Sequence, residues 1–160
     1  MGEAAPSDVL RVVNEAVGRE PGESRLCTVA YARIRLDGDV LTVDAASAGH
    51  PLPLVVRAGG PVEALGEPGT LLGAFSVIDV SDATTTLLPG DALVLHTDGV
   101  TEARKGTAFF GGERVERLLS ACASCTAEEL VDRLVDAVLE FQGDVPRDDI
   151  AVVAVRVPAP

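Results

Sequence analysis

The chain has 160 residues, 47% apolar, 24% charged and 3% aromatic, with a net charge of −12. That length suits one domain with a real hydrophobic core, and the apolar fraction excludes a disordered chain. The acidic balance and the few aromatics exclude a basic, base-stacking nucleic-acid surface. With no apolar run long enough to cross a bilayer and no secretory pattern at MGEAAPSDVL, a cytoplasmic protein with no membrane contact is expected.

In chain order, PSDVLRVVNEAVG predicts a short helix with Ser7 as N-cap, an apolar face of Val9, Leu10, Val13, Ala16 and Val17, and Gly18 as its stop. LCTVAYARIRL and DVLTVDAAS read as strands of a hairpin about Asp37-Gly38, residues that favour tight turns. After AGHP comes the strand LPLVVR, then a Gly/Pro-rich stretch from Ala58 to Gly73. ATTTLL and DALVLHT predict two more strands around a tight turn at Pro89-Gly90. A glycine-rich loop at Phe110-Gly111-Gly112 leads to a helix over ERVERLLSAC. A longer helix follows, with Thr126 and Glu129 at capping-box spacing and an apolar stripe from Leu130 to Phe141. DIAVVAVRV, nearly continuous in apolar residues, predicts a strand covered on both faces. About three helices and six or seven strands, not alternating, imply an α+β fold with largely antiparallel sheets.

The three cysteines give no disulfide framework. Cys122 and Cys125 form a lone Cys-x-x-Cys with no second ligand pair and no βαβ unit beside it, so they read as packing or loop residues rather than a redox or zinc motif. The acids are more informative. Asp98-Gly99 ends a buried strand, and unlike Asp37-Gly38 it has no matching strand after it. Asp148-Asp149 sits at another boundary between loop and core strand. Strand-end carboxylates meeting at one end of a sheet would suit a hard cation, Mg²⁺ or Mn²⁺; solvated surface acids are the alternative.

Four stretches carry a resemblance. LLPGDALVLHTDGVTEARKGTAFFGGERV resembles the stage II sporulation protein E (RsbU-type) branch of the PPM metal-dependent Ser/Thr protein phosphatases. ASAGHPLPLVV is similar to that family's Ala-Gly-His-Pro strand, RDDIAVVAVRV to its terminal Asp-Asp strand, and PSDVLRVVNEAV to the preceding helix, in family order over residues 6–157. The resemblance implies an α-β-β-α sandwich of two mainly antiparallel sheets flanked by helices, with the helix from Thr126 on an outer face. It also implies two Mn²⁺ or Mg²⁺ ions that activate a bridging water toward a phosphoserine or phosphothreonine. Asp98, with Gly99, and Asp148 are then expected to bind one metal, their carboxylate oxygens within about 5 Å. Asp149, Thr97 and Glu102 are expected to support them. His50 reads as a ring bonded to nearby loops, with a catalytic role as the alternative, and His96 as packing.

The family's opening Gly-Asp-x-x-Asp strand and Asp-x-x-Gly-His-Gly turn find no match here; Gly38-Asp39 belongs to the hairpin. Residues 1–160 are therefore expected to be a single, partial phosphatase domain: a cloned piece, a proteolytic product or a natural pseudoenzyme. The expected activity is dephosphorylation of an anti-sigma-factor antagonist protein, with this chain inactive by itself. A non-catalytic interaction module of the same partner-switching pathway is the alternative. An unpaired edge near Leu26 to Ser47 would favour a homodimer.

Overall fold

The computed structural model describes residues 4–18, 26–143 and 148–159. In chain order its elements begin with α1 (Pro6–Gly18), β1 (Val29–Asp37), β2 (Val40–Ala48), β3 (Leu54–Val56), β4 (Val62–Ala64), β5 (Ala83–Leu87) and β6 (Ala92–His96). There follow α2 (Asp98–Thr101), β7 (Arg104–Lys105), β8 (Ala108–Phe109), α3 (Gly112–Ala121), α4 (Ala127–Gln142) and β9 (Val152–Arg156). They form two compact units, Met1–Pro53 with Leu65–Thr86, and Leu54–Ala64 with Leu87–Pro160.

The first unit carries a sheet ordered β1-β2-β5. β1 and β2 pair antiparallel from Val29↔Ala48 to Asp37↔Val40, so the loop is Gly38-Asp39, one residue later than the sequence suggests. Gly38 takes φ +61°, the left-handed first position of a type II′ hairpin. α1 seats Leu10 among Ala46, Ala48, Leu72, Ile78 and Val80. Its inner face differs from the expected stripe: Val13 is exposed, and the buried partner one turn after Leu10 is Asn14. Asn14 is satisfied by pinning a loop, donating to the Phe75 carbonyl (3.0 Å) and accepting from the Gly73 N–H (2.9 Å). Ser7 is not the N-cap. It lies inside the first turn, and the Asp82 carboxylate caps that turn from a distance, accepting the Ser7 N–H and hydroxyl at 2.7 Å each.

Asp44 fastens all three strands of this sheet. It accepts from Arg33 (2.9 Å) and Arg35 (2.5 Å) of β1 and from Thr84 (2.8 Å) of β5. Hydrogen bonds from Arg33, then Thr84 and Arg35, hold its carboxyl at about 2, against an ordinary 3.8.

The second unit carries a sheet ordered β4-β3-β6-β9, antiparallel at every junction. The strand period of two puts Leu54 and Val56, Ala92 and Val94, and Val152 and Ala154 on one face. α3 and α4 cover that face with Val115, Leu119, Leu130, Leu134 and Val138. Each fully buried Leu or Val there contributes roughly 1.5–3 kcal/mol of transfer free energy. α4 starts as its sequence predicts: Thr126 accepts the Glu129 N–H (3.1 Å) and Glu129 accepts the Thr126 N–H (2.8 Å). At the base of β6, Asp91 is buried yet its carboxyl is lowered. Burial alone would raise it, but the Ala58 N–H, the Arg57 guanidinium and the Leu88 N–H outweigh that.

The α+β class and antiparallel pairing agree with the sequence, but several elements do not. Pro89-Gly90 closes no hairpin, because β5 and β6 belong to different sheets. The last strand is not covered on both faces: β9 is the edge of its sheet and Val153 is 57% exposed. The Gly/Pro-rich stretch contains β4, which pairs with β3. Residues read as loop after Asp98 form the single turn α2 and the small hairpin β7–β8. Among the described residues no helix is long and apolar enough to cross a membrane.

Candidate functional site

β6 is buried through Ala92, Leu93 and Val94, and its C-terminal end delivers Thr97 and Asp98. Thr97 has extended backbone and stands at the N-cap of α2, but its side chain caps nothing in that helix. Its hydroxyl instead donates to the Asp149 carbonyl (2.8 Å) and accepts the Ala151 N–H (3.0 Å), while its own N–H reaches the Ala151 carbonyl at 3.0 Å. These bonds extend the β6–β9 pairing beyond His96↔Val152 and tie the two acid-bearing segments together.

Gly99 completes the junction. A Cβ there would run into the Asp149 carbonyl oxygen and lie 3.6 Å from the carbonyl carbon of Asp148, so any larger residue would push the two segments apart. Asp148 folds over its own chain, its Oδ1 accepting the Asp149 N–H at 2.8 Å. Asp98, Glu102, Asp148 and Asp149 are all exposed. The Glu102 N–H closes α2 onto the Asp98 carbonyl at 2.7 Å. A cleft of about 290 Å³ opens here, lined by Gly99, Glu102, Ala103, Arg104, Gln142 and Asp148.

The donors are carboxylate and carbonyl oxygens, the set that hard divalent cations take, and the Gly99 contact brings them from two distant parts of the chain. Two acids of this kind supply ligands for at most one such ion, completed by water. They do not fit a pair, because among the described residues no group of three or more His, Cys, Asp or Glu is arranged to hold a metal.

The remaining candidates lie elsewhere. His50 belongs to the first unit, where its Nδ1 is 3.1 Å from the Thr28 hydroxyl and its carbonyl accepts from Ser47 at 2.6 Å. His96 is buried, its Nδ1 3.0 Å from the Thr97 carbonyl. Cys122 and Cys125 are buried in the turn between α3 and α4, and the Cys125 N–H bonds the Cys122 carbonyl at 3.0 Å. Burial, then the Cys125 contact, pushes the Cys122 thiol up, the opposite of a reactive thiolate. Two cleft residues, Arg104 and Gln142, carry no signal in the sequence. One follows a polar run and the other ends an ordinary amphipathic helix, so only the tertiary fold brings them beside Asp148.

Comparison with known proteins bears on the family and the fold. The family described as Stage II sporulation protein E (SpoIIE) matches residues 1–158. The chain is 30% identical to phosphoserine phosphatase RsbU of Bacillus subtilis (strain 168) over 152 residues, covering 94% of this chain and 45% of that protein. Among solved structures, the RsbU and RsbW domains of Rv1364c from Mycobacterium tuberculosis superpose with a TM-score of 0.76 at 25% identity, covering 99% of this chain and 44% of that one. The Mn-presoaked phosphatase domain of SpoIIE from Bacillus subtilis gives 0.73 at 18% identity, covering 98% and 68%. The chain thus spans less than half the length of the curated relatives it matches.

Proposed function

The chain belongs to the stage II sporulation protein E family, and from that premise we propose that it carries the Asp98–Asp148 part of a divalent-cation site in a PPM-type phosphatase domain. Its substrate would be a phosphoserine or phosphothreonine protein. The observation that supports this reading is the close approach of Gly99, next to Asp98, to the backbone of Asp148-Asp149, about fifty positions further along the sequence. Asp98 and Asp148 would hold Mn²⁺ or Mg²⁺, with Gly99 allowing their approach. Thr97 fixes the spacing, and Asp149 and Glu102 shape the surrounding backbone. A bound ion would supply Lewis-acid charge for the phosphoryl oxygens. The naming of RsbU as a phosphoserine phosphatase supports the substrate class, and within it we favour a phosphorylated anti-sigma-factor antagonist in the cytoplasm.

With no group of three or more His, Cys, Asp or Glu arranged to hold a metal among the described residues, the 160-residue chain by itself should turn over neither p-nitrophenyl phosphate nor a phosphoserine protein. Losing even one electrostatic contribution to a transition state costs on the order of 10² in rate. The test is Mn²⁺ titration with both assays on wild type and Asp98→Asn. Mn²⁺ binding lost in Asp98→Asn, with turnover at background in both, is expected. Robust turnover that vanishes in Asp98→Asn would show a complete site and overturn the inactivity. Mn²⁺ affinity unaffected by the substitution would overturn the site.

The same lack of a metal-holding group among the described residues favours a second reading, an interaction module that binds the phosphorylated partner without dephosphorylating it; a stable complex whose phosphate persists would mark it. β1 lies at a sheet edge with Leu36 73% exposed, which supports a homodimer through that edge. A molar mass that stays monomeric by light scattering across a concentration series would remove that proposal.

A further inference from the structure

The cleft beside Asp148 contains two side chains whose hydrogen-bond donors are unused among the described residues. Gln142 is the last residue of α4, and its Nε2 is buried with no hydrogen-bond partner among the described residues. An amide left this way costs about 1–3 kcal/mol, and a purely structural position would favour Leu or Met over it. Arg104, on β7, is the second. Its guanidinium carbon lies over the Phe109 ring, 4.4 Å from the centroid, and its N–H groups have no hydrogen-bond partner among the described residues. Although Glu102 and Asp148 line the same cleft, Arg104 makes no ion pair among the described residues.

We propose that Arg104 and Gln142 are the phosphoryl-oxygen donors of this cleft, holding the phosphate monoester of the substrate beside Asp98 and Asp148. The proposal rests on the phosphatase reading and adds to it the groups that recognise the substrate. A planar fork suits two oxygens of a tetrahedral dianion, and the carboxamide of Gln142, which lines the same cleft, suits a third once its buried N–H₂ turns to face the ligand. A neutral ligand would leave the arginine unmatched. The acids of the cleft repel a bare anion, so binding should be coupled to a divalent cation, each strengthening the other.

The experiment titrates O-phospho-L-serine into the full 160-residue chain by calorimetry, with and without Mg²⁺, for wild type, Arg104→Ala, Arg104→Lys, Gln142→Leu and Gln142→Glu. Mn²⁺ affinity is measured separately for each by the electron paramagnetic resonance signal of free Mn²⁺. Millimolar or tighter binding that strengthens with Mg²⁺ is expected for wild type. Arg104→Ala and Gln142→Leu should each weaken it about tenfold or more, with Mn²⁺ affinity held. Arg104→Lys should retain part of the binding, and Gln142→Glu should lose it by setting charge against charge. Gln142→Leu should melt at or above the wild-type temperature, which a structural role for the amide would not allow. Phosphoserine affinity within twofold of wild type in both Arg104→Ala and Gln142→Leu, or no wild-type binding at millimolar probe, would overturn the proposal. If Asp98→Asn abolishes Mn²⁺ binding while those variants bind phosphoserine normally, only this inference falls. If Asp98→Asn leaves Mn²⁺ affinity unchanged, the phosphatase reading falls instead.

Discussion

Replacing Asp44 by Asn should remove the charge that holds three strands of the first unit together, and the size of the effect follows from its depressed carboxyl. A drop from 3.8 to about 2, at about 1.4 kcal/mol per pH unit, makes the ionised carboxylate worth about 2 kcal/mol to the folded state. Arg33 supplies the largest share and is more sheltered than Arg35, whose side chain is 45% exposed and therefore screened by salt. Because the folded value lies below the unfolded one, this stability is fully present above pH 3.8 and is lost as pH falls toward about 2. Urea unfolding of wild type and Asp44→Asn at neutral pH should therefore differ by about 2 kcal/mol, or about 4–8 °C in melting temperature. The difference should close across that acid window, and high salt should reduce it only in part. Equal stability at neutral pH would refute the reasoning. So would a gap that persists unchanged below pH 2, which would mean that shape rather than charge was being measured.

Three further substitutions probe the second unit. Gly99→Ala puts a methyl group against the Asp149 carbonyl; it should cost about 1–3 kcal/mol and abolish Mn²⁺ binding, and a variant that melts and binds like wild type would dismiss the close approach. Arg57→Met strands the buried Asp91 carboxylate and should cost about 3 kcal/mol, with Asp91→Asn in the same chain restoring part of it; a double variant no better than the single one would count against that pairing. Thr126→Ala removes one half of the α4 capping box and should lower unfolding stability by about 1 kcal/mol, while no change would mean that packing alone starts the helix.

Where a structural preference is local, the sequence carries it. The Thr126–Glu129 box, the α4 stripe and the Gly38 hairpin depend on neighbours within a few residues, and each lies within a residue or so of its expected place. Features decided by distant partners were not legible. Ser7 has the chemistry of an N-cap, yet Asp82 takes that part from seventy-five residues away. Pro89-Gly90 has turn chemistry, but Asp91, Arg57 and the Ala58 N–H direct the chain into another sheet. β9 is apolar enough for a central strand and sits at an edge, since the order of strands is not written in any one of them. In the candidate site the acids were visible as types and by family resemblance. The Thr97 bridge was not, because it required knowing that β6 and β9 are neighbours.

That neighbour relation has a consequence for how the site comes into being. The Thr97 hydroxyl finds both its partners at Asp149 and Ala151, next to the strand that follows every other described element in the chain. During synthesis the β6 half of the cleft is made first, and its hydroxyl and the space above Gly99 wait for about fifty more residues. Closing a loop of that length carries an entropic cost that must be met before any contact across it forms. The acids therefore assemble late, after α3 and α4 have offered their apolar faces to the sheet. A nascent chain stalled before Asp148 would carry Thr97 and Asp98 without the segment that the Thr97 hydroxyl bonds.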